Sequence, residues 1–85
     1  MKQFDYTVRD SDGLHARPAG KFVKFAQGCS SGVSISLRGQ TANAKRLFAV
    51  LSLGVKRGDD ITVRVEGENE ASDCEKLEAF CRESI

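Results

Sequence analysis

The 85-residue sequence predicts an α+β domain: a two-layer open-faced sandwich in which a four-stranded antiparallel sheet is covered on one face by three helices. Two patterns point to it. Apolar residues alternate at period two in several short stretches, the mark of strands with one buried face, and between them apolar residues recur at helical spacing. Turn-forming residues leave only short connections, in the order β-α-β-β-α-β-α. Four amphipathic strands have one face to cover, and three helices supply the cover.

Each element has its own signal. Phe4, Tyr6 and Val8 alternate with Gln3, Asp5, Thr7 and Arg9, a half-buried strand, and Asp10-Ser11-Asp12-Gly13 reads as a turn. Ala19, Phe22, Val23 and Ala26 then share one helical face, with Pro18 near the start and Gly28 as the stop. Val33, Ile35 and Leu37 alternate as a second strand, and Arg38-Gly39-Gln40 reverses the chain into a short third strand around Thr41 and Ala42. A short apolar helix is predicted from about Lys45 to Leu53, closed by Gly54, followed by the polar turn Lys56-Arg57-Gly58-Asp59-Asp60. Ile61, Val63 and Val65 form the fourth strand. Asn69 is the expected N-cap of the last helix, with Glu70 and Asp73 in its first turn, and Ala71, Cys74, Leu77 and Cys81 its expected buried stripe.

Size and composition restrict the function. Residues 1–85 are expected to make a single domain, too small to enclose a deep substrate cavity, which favours a carrier, adaptor or binding module. The net charge of +1 gives no global field for nucleic acid or an anionic membrane, so no nucleic-acid partner and no membrane insertion are expected. With no signal-peptide-like apolar run at the start, a cytoplasmic location is expected. Cys29, Cys74 and Cys81 are odd in number and lack a C-x-x-C pair, so they read as free thiols rather than a zinc site.

The chemistry concentrates on the only histidine, in Gly13-Leu14-His15-Ala16-Arg17-Pro18-Ala19, where a turn becomes a helix. The first amides of a helix have no internal partners and lie at the positive end of its dipole. A dianionic phosphoryl group there meets N–H donors, here the backbone of Ala16 and Arg17, and the Arg17 guanidinium can add a charge-assisted contact. Neutral imidazole supplies a nitrogen lone pair near neutral pH. The helix N-terminus and Arg17 favour that neutral form, and Asp10 and Asp12 oppose them if they point inward. The bland alternative is a capping or surface histidine, which is the commoner use of one near a helix start.

This stretch resembles the phosphorylation-site motif of HPr, the histidine phosphocarrier of the bacterial phosphoenolpyruvate:sugar phosphotransferase system. Leu51-Ser52-Leu53-Gly54-Val55-Lys56-Arg57-Gly58 resembles the family's second characteristic stretch, and the likeness extends over essentially the whole chain. The resemblance implies an HPr-like fold and a carrier rather than an enzyme. It implies that Enzyme I, drawing on phosphoenolpyruvate, phosphorylates Nδ1 of His15, and that the group passes to IIA units of sugar permeases. By position, Arg17 is the phosphoryl-stabilising residue. No metal or cofactor is implied on the carrier, and a monomer is expected.

The short helix around Leu47, Phe48 and Leu51 is apolar nearly all round, so part of it should stay exposed as a docking patch, unless the helix is sandwiched and wholly core. The resemblance favours docking, with Gly20, Lys24 and Arg46 on the same surface and Phe25 a possible addition. Lys21 and Lys45 are further candidates for steering an acidic partner, although scattered lysines are more often plain solvated surface. Many family members carry a serine, the substrate of a dedicated kinase, where this chain has Arg46. That regulatory layer is therefore in doubt, and so is the helix cap the serine supplies; Asn43 is the expected replacement cap. Three alternatives to a sugar-transport carrier remain: an HPr paralogue in a nitrogen-type regulatory relay, a phosphorylation-independent regulatory module, and a small enzyme with His15 as general base. The last lacks a paired nucleophile.

Overall fold

The computed structural model describes residues 1–85. Seven elements follow the expected order: β1 (Lys2–Thr7), α1 (Ala16–Gln27), β2 (Gly32–Leu37), β3 (Gln40–Asn43), α2 (Leu47–Ser52), β4 (Asp60–Glu66) and α3 (Glu70–Ser84). The strands form one antiparallel sheet in the order β1-β4-β2-β3. β4 lies inside, Phe4 pairing with Val63 on one side and Ile35 with Val63 on the other. Each strand puts its apolar set on the face carrying the helices. Ile35, Ile61, Val63 and Val65 are fully buried there against Phe22, Ala19, Ala26, Val50, Leu77 and Cys81. The opposite face is polar and bare, braced by Thr62 Oγ1 donating to Asp5 (2.7 Å) and the Ser36–Thr41 hydroxyl pair (2.9 Å). The β2–β3 reversal is a two-residue turn at Arg38 and Gly39, both with positive φ, which matches the twist of an antiparallel hairpin.

Four local expectations are corrected. First, α2 spans Leu47–Ser52, shorter than the predicted 45–53. Asn43 accepts from the Lys45 amide through Oδ1 (2.9 Å) and from the Arg46 amide through its carbonyl (3.1 Å), so its side chain closes the preceding turn instead of capping the helix. Second, Asn69 takes the N-cap position of α3 as expected, its carbonyl accepting the Asp73 amide (2.9 Å), but its side chain makes no capping bond; its Nδ2 donates instead to Ser30 Oγ (2.9 Å). Third, the α3 stripe is rotated: Leu77 and Cys81 are buried and Cys74 half-buried, but Ala71 is exposed. Asp73 is buried in its place because its carboxylate accepts the Ser31 amide (3.1 Å), fastening α3 to the α1–β2 connection. The Ser31 hydroxyl beside it and then that amide hold the Asp73 carboxyl below the usual carboxylate range, against the cost of burial. The hydroxyl, itself buried, reaches no well-directed hydrogen bond. Fourth, Phe25 leans on Phe80 of α3 (centroids 4.8 Å apart), away from the Gly20 side of α1, and so does not join the α2 surface.

The cysteines are free thiols. Burial pushes Cys81 up to about 12 and raises Cys29 and Cys74, so all three behave as small apolar groups rather than nucleophiles. No helix is long and apolar enough to cross a membrane.

Candidate functional site

His15 occupies the N-cap position of α1 with extended backbone (φ −82°, ψ −172°), and its side chain makes no capping bond. The imidazole is therefore exposed and uncommitted, while the His15 carbonyl accepts the Ala19 amide (2.9 Å) and starts the helix. The amides of Ala16 and Arg17 donate to no protein acceptor. Pro18, third in the helix, would have offered a further free amide; its ring is buried instead and fixes φ for the first turn.

Three segments far apart in sequence hold the turn before His15. Asp10 accepts the Gly13 amide through its carbonyl and the Asp12 amide through its carboxylate (both 2.9 Å). The Val55 carbonyl accepts the Leu14 amide (3.1 Å), and the Ile85 carbonyl accepts the amides of Arg9 and Asp10 (2.7 and 2.8 Å). Gly13 is required twice over. Its φ is +60°, and a Cβ there would sit 2.5 Å from the Val55 carbonyl oxygen and 2.7 Å from Lys56 Cα. The Val55–Lys56 loop is thus packed directly onto the turn that presents the histidine.

His15 and Arg17 line different hollows. His15 shares an open cleft of about 420 Å³ with Leu14, Ala16, Leu51, Gly54, Val55 and Lys56. Arg17 lines a smaller neighbour of about 180 Å³ with Asp10, Pro18, Lys21 and Ser84. Asp12 borders both, so two acidic residues line the hollow of the arginine and one of them also lines the cleft of the histidine. Arg17 is exposed and makes no ion pair or hydrogen bond, so it is free to turn toward an anion at His15.

Of the expected docking residues, Leu51 lies on the His15 cleft itself. Phe48 is 82% exposed, Leu47 and Gly20 are half-buried, and Lys24 and Arg46 are exposed. Val50 is the one fully buried residue of α2, Leu47 and Leu51 are half-buried against the core, and Phe48 is the large apolar side chain left in solvent. α2 packs against α1 and β3, and Gln27 Nε2 donates to the Lys45 carbonyl (2.9 Å) where the chain enters it. The Lys45 ammonium donates to the Cys29 carbonyl (2.9 Å), which fixes where its charge sits.

Sequence reasoning missed Lys56 as a neighbour of His15, Ile85 as a clamp on the Asp10 turn, and Phe80 as a core-edge aromatic. Residues 54–58 are bounded by glycine and hold Lys56 and Arg57, a pattern that marks a loop but not where it docks.

The chain matches the family model described as the PTS HPr component phosphorylation site over residues 2–83. It belongs to the HPr family. Relatives include the phosphocarrier protein HPr of Buchnera aphidicola, 44% identical over 98% of each chain, and that of Haemophilus influenzae, 39% identical over 94% of each. The HPr-like protein Crh of Bacillus subtilis is 38% identical over the full length of both. Among solved structures, HPr-C-His from Thermoanaerobacter tengcongensis superposes with a TM-score of 0.94 at 31% identity, covering 99% of this chain and 94% of that one. HPr from Bacillus anthracis gives 0.88 at 34% identity, covering 94% and 95%. The fold and the phosphocarrier class of the HPr family therefore apply to this chain.

Proposed function

We propose that the protein accepts a phosphoryl group from phosphorylated Enzyme I on His15 and donates it to IIA units of sugar permeases. The observation that carries the reading is the uncapped His15 at the head of α1, beside two amides with no protein partner. The Nδ1 lone pair attacks phosphorus while the bond from phosphorus to the donor's nitrogen breaks. The Ala16 and Arg17 amides then meet the phosphoryl oxygens, and the Arg17 guanidinium turns from its hollow to join them. No step needs a metal or a cofactor on the carrier. The exposed Phe48 with Leu47, Leu51, Gly20, Lys24 and Arg46 forms the partner-facing surface, which sits beside the histidine so that one docking event covers both.

The test is incubation with Enzyme I and phosphoenolpyruvate followed by intact-mass measurement. The expected result is one added phosphoryl group, acid-labile and alkali-stable. A His15→Ala protein that gains the same mass refutes the assignment.

A regulatory role is the second reading, favoured by the full-length similarity to the HPr-like protein Crh. The two separate in the next step: the transport reading requires phosphoryl transfer from this protein to a IIA domain. Structures of Crh are described as dimers, one of them domain-swapped. We propose a monomer here, to be checked by sedimentation at micromolar concentration.

A further inference from the structure

We infer that Lys56 is a second phosphoryl-contacting residue, supplying the cation that the His15 cleft itself lacks from Arg17. The inference rests on the reading of His15 as the acceptor and adds a residue to that site.

The argument starts from placement. Arg17 and His15 border separate hollows, whereas Lys56 is the one basic residue bordering the His15 cleft. Its Cα lies against Gly13, two residues before the histidine, so closely that a single added methyl group would overlap it. That position is fixed from the far side. Asp59 accepts the Lys56 amide through Oδ2 (2.9 Å), and the Lys56 carbonyl accepts the Asp59 amide (3.0 Å), closing the turn. Asp59 is held in its turn by Arg38, whose Nη2 donates to Oδ1 (2.8 Å) from the tip of the β2–β3 hairpin. The backbone of Lys56 is thus anchored, while its ammonium makes no hydrogen bond or ion pair.

Charge balance gives the reason. The cleft carries one carboxylate, Asp12, and one ammonium, Lys56. A phosphoryl group on His15 adds about two negative charges beside Asp12. The free amides offer only partial charges, so a full positive charge on a flexible stem, already at the rim, has an electrostatic gradient toward the phosphoryl oxygens.

The test compares Lys56→Gln with Arg57→Gln, which removes the same charge from the next residue, exposed but outside the cleft. Two quantities are read at about 0.15 M salt, where charges further apart than roughly 8 Å are screened. One is the equilibrium extent of phosphorylation against phosphoenolpyruvate and pyruvate. An equilibrium does not depend on how well Enzyme I docks, so it isolates contact with the phosphoryl group. The other is the second ionisation of the phosphohistidine, followed by 31P NMR on the isolated protein.

Lys56→Gln should lower the equilibrium constant about three- to tenfold, the low end for an exposed charge-assisted contact. It should also raise the phosphoryl pKa by about half a pH unit or more, because the dianion loses its cation. Arg57→Gln should leave both quantities unchanged, and Lys56→Arg should retain them. The Lys56 contacts that hold the loop are backbone ones, so the Gln variant keeps its fold, which thermal unfolding verifies. Equal values for Lys56→Gln and Arg57→Gln overturn this inference alone. Absence of any phosphoryl adduct on the unmutated protein overturns the carrier reading and the inference with it.

Discussion

Gly13→Ala should be the most informative single methyl group in the chain. Two costs are expected, and the structure allows them to be separated. A left-handed residue with a Cβ costs about 1–2 kcal/mol. Gly54 has nearly the same φ, +66°, but open space around its Cβ direction, so Gly54→Ala measures that cost alone. At Gly13 the added carbon would also overlap the Val55 oxygen at 2.5 Å and Lys56 Cα at 2.7 Å, both backbone atoms that cannot rotate away. The loop must move by several tenths of an ångström, straining the Val55–Leu14 hydrogen bond, for roughly 1–3 kcal/mol more. The total, about 2–5 kcal/mol, is a large part of the roughly 4–13 kcal/mol expected for a domain of this size. Urea unfolding gives both numbers, with the slope unchanged if only the native state is affected. Equal losses for Gly13→Ala and Gly54→Ala would show that the loop is not packed against the turn, and the account of how His15 is positioned would fall.

Arg17→Ala should reduce phosphoryl transfer by roughly 1.5–3 kcal/mol of transition-state stabilisation while the melting temperature stays put, since the side chain has no partner in the resting protein. Parallel losses in both would point to a structural role. Phe48→Ser should change stability by less than about 0.5 kcal/mol, its ring being 82% exposed, yet weaken Enzyme I binding in calorimetry. Asp73 is held below its ordinary value in the folded protein, so its contribution is complete above the unfolded value near 3.9 and is lost as pH falls through the folded one. Melting curves should accordingly decline less steeply below about pH 4 for Asp73→Asn than for the unmutated protein. ATP and the serine kinase should leave this chain unmodified, because Arg46 offers no hydroxyl and Ser52 is engaged with the Phe48 carbonyl at 2.7 Å; mass spectrometry after incubation checks it, with Arg46→Ser as the positive control.

The fold was legible because its longer strands alternate cleanly and the two long helices each carry one apolar face. Val33, Ile35, Leu37, Ile61, Val63 and Val65 all proved buried, as period-two reading requires. The errors fell where polar side chains found distant partners. Asn69 does stand at the N-cap, but its side chain is turned to donate to the Ser30 hydroxyl, 39 residues earlier, and makes no capping bond. Asp73 looks like a solvated first-turn acid until the Ser31 amide is placed beneath it. The site showed the same division. Its local part, from Gly13 to Pro18, could be read directly, because helix-start chemistry is written in consecutive residues. The contributions of Lys56 and Ile85 depend on contacts over 40 residues or more, and no local pattern encodes them.

The strand order has a consequence for how the protein comes into being. β1 is made before the other six elements, yet its sole partner in the sheet is β4, which begins at Asp60. The turn leading to His15 is closed by Val55 and by Ile85. During synthesis, then, the histidine emerges early and waits. α1, only 12 residues long, is stable chiefly through the core it packs against, and the sheet edge and the loops that orient its N-terminus are joined only when β4 and the residues through Ile85 have left the ribosome. Loop closure over some 60 residues must come before those contacts can stabilise it. A nascent chain stalled before β4 has His15 without the packed turn that presents it.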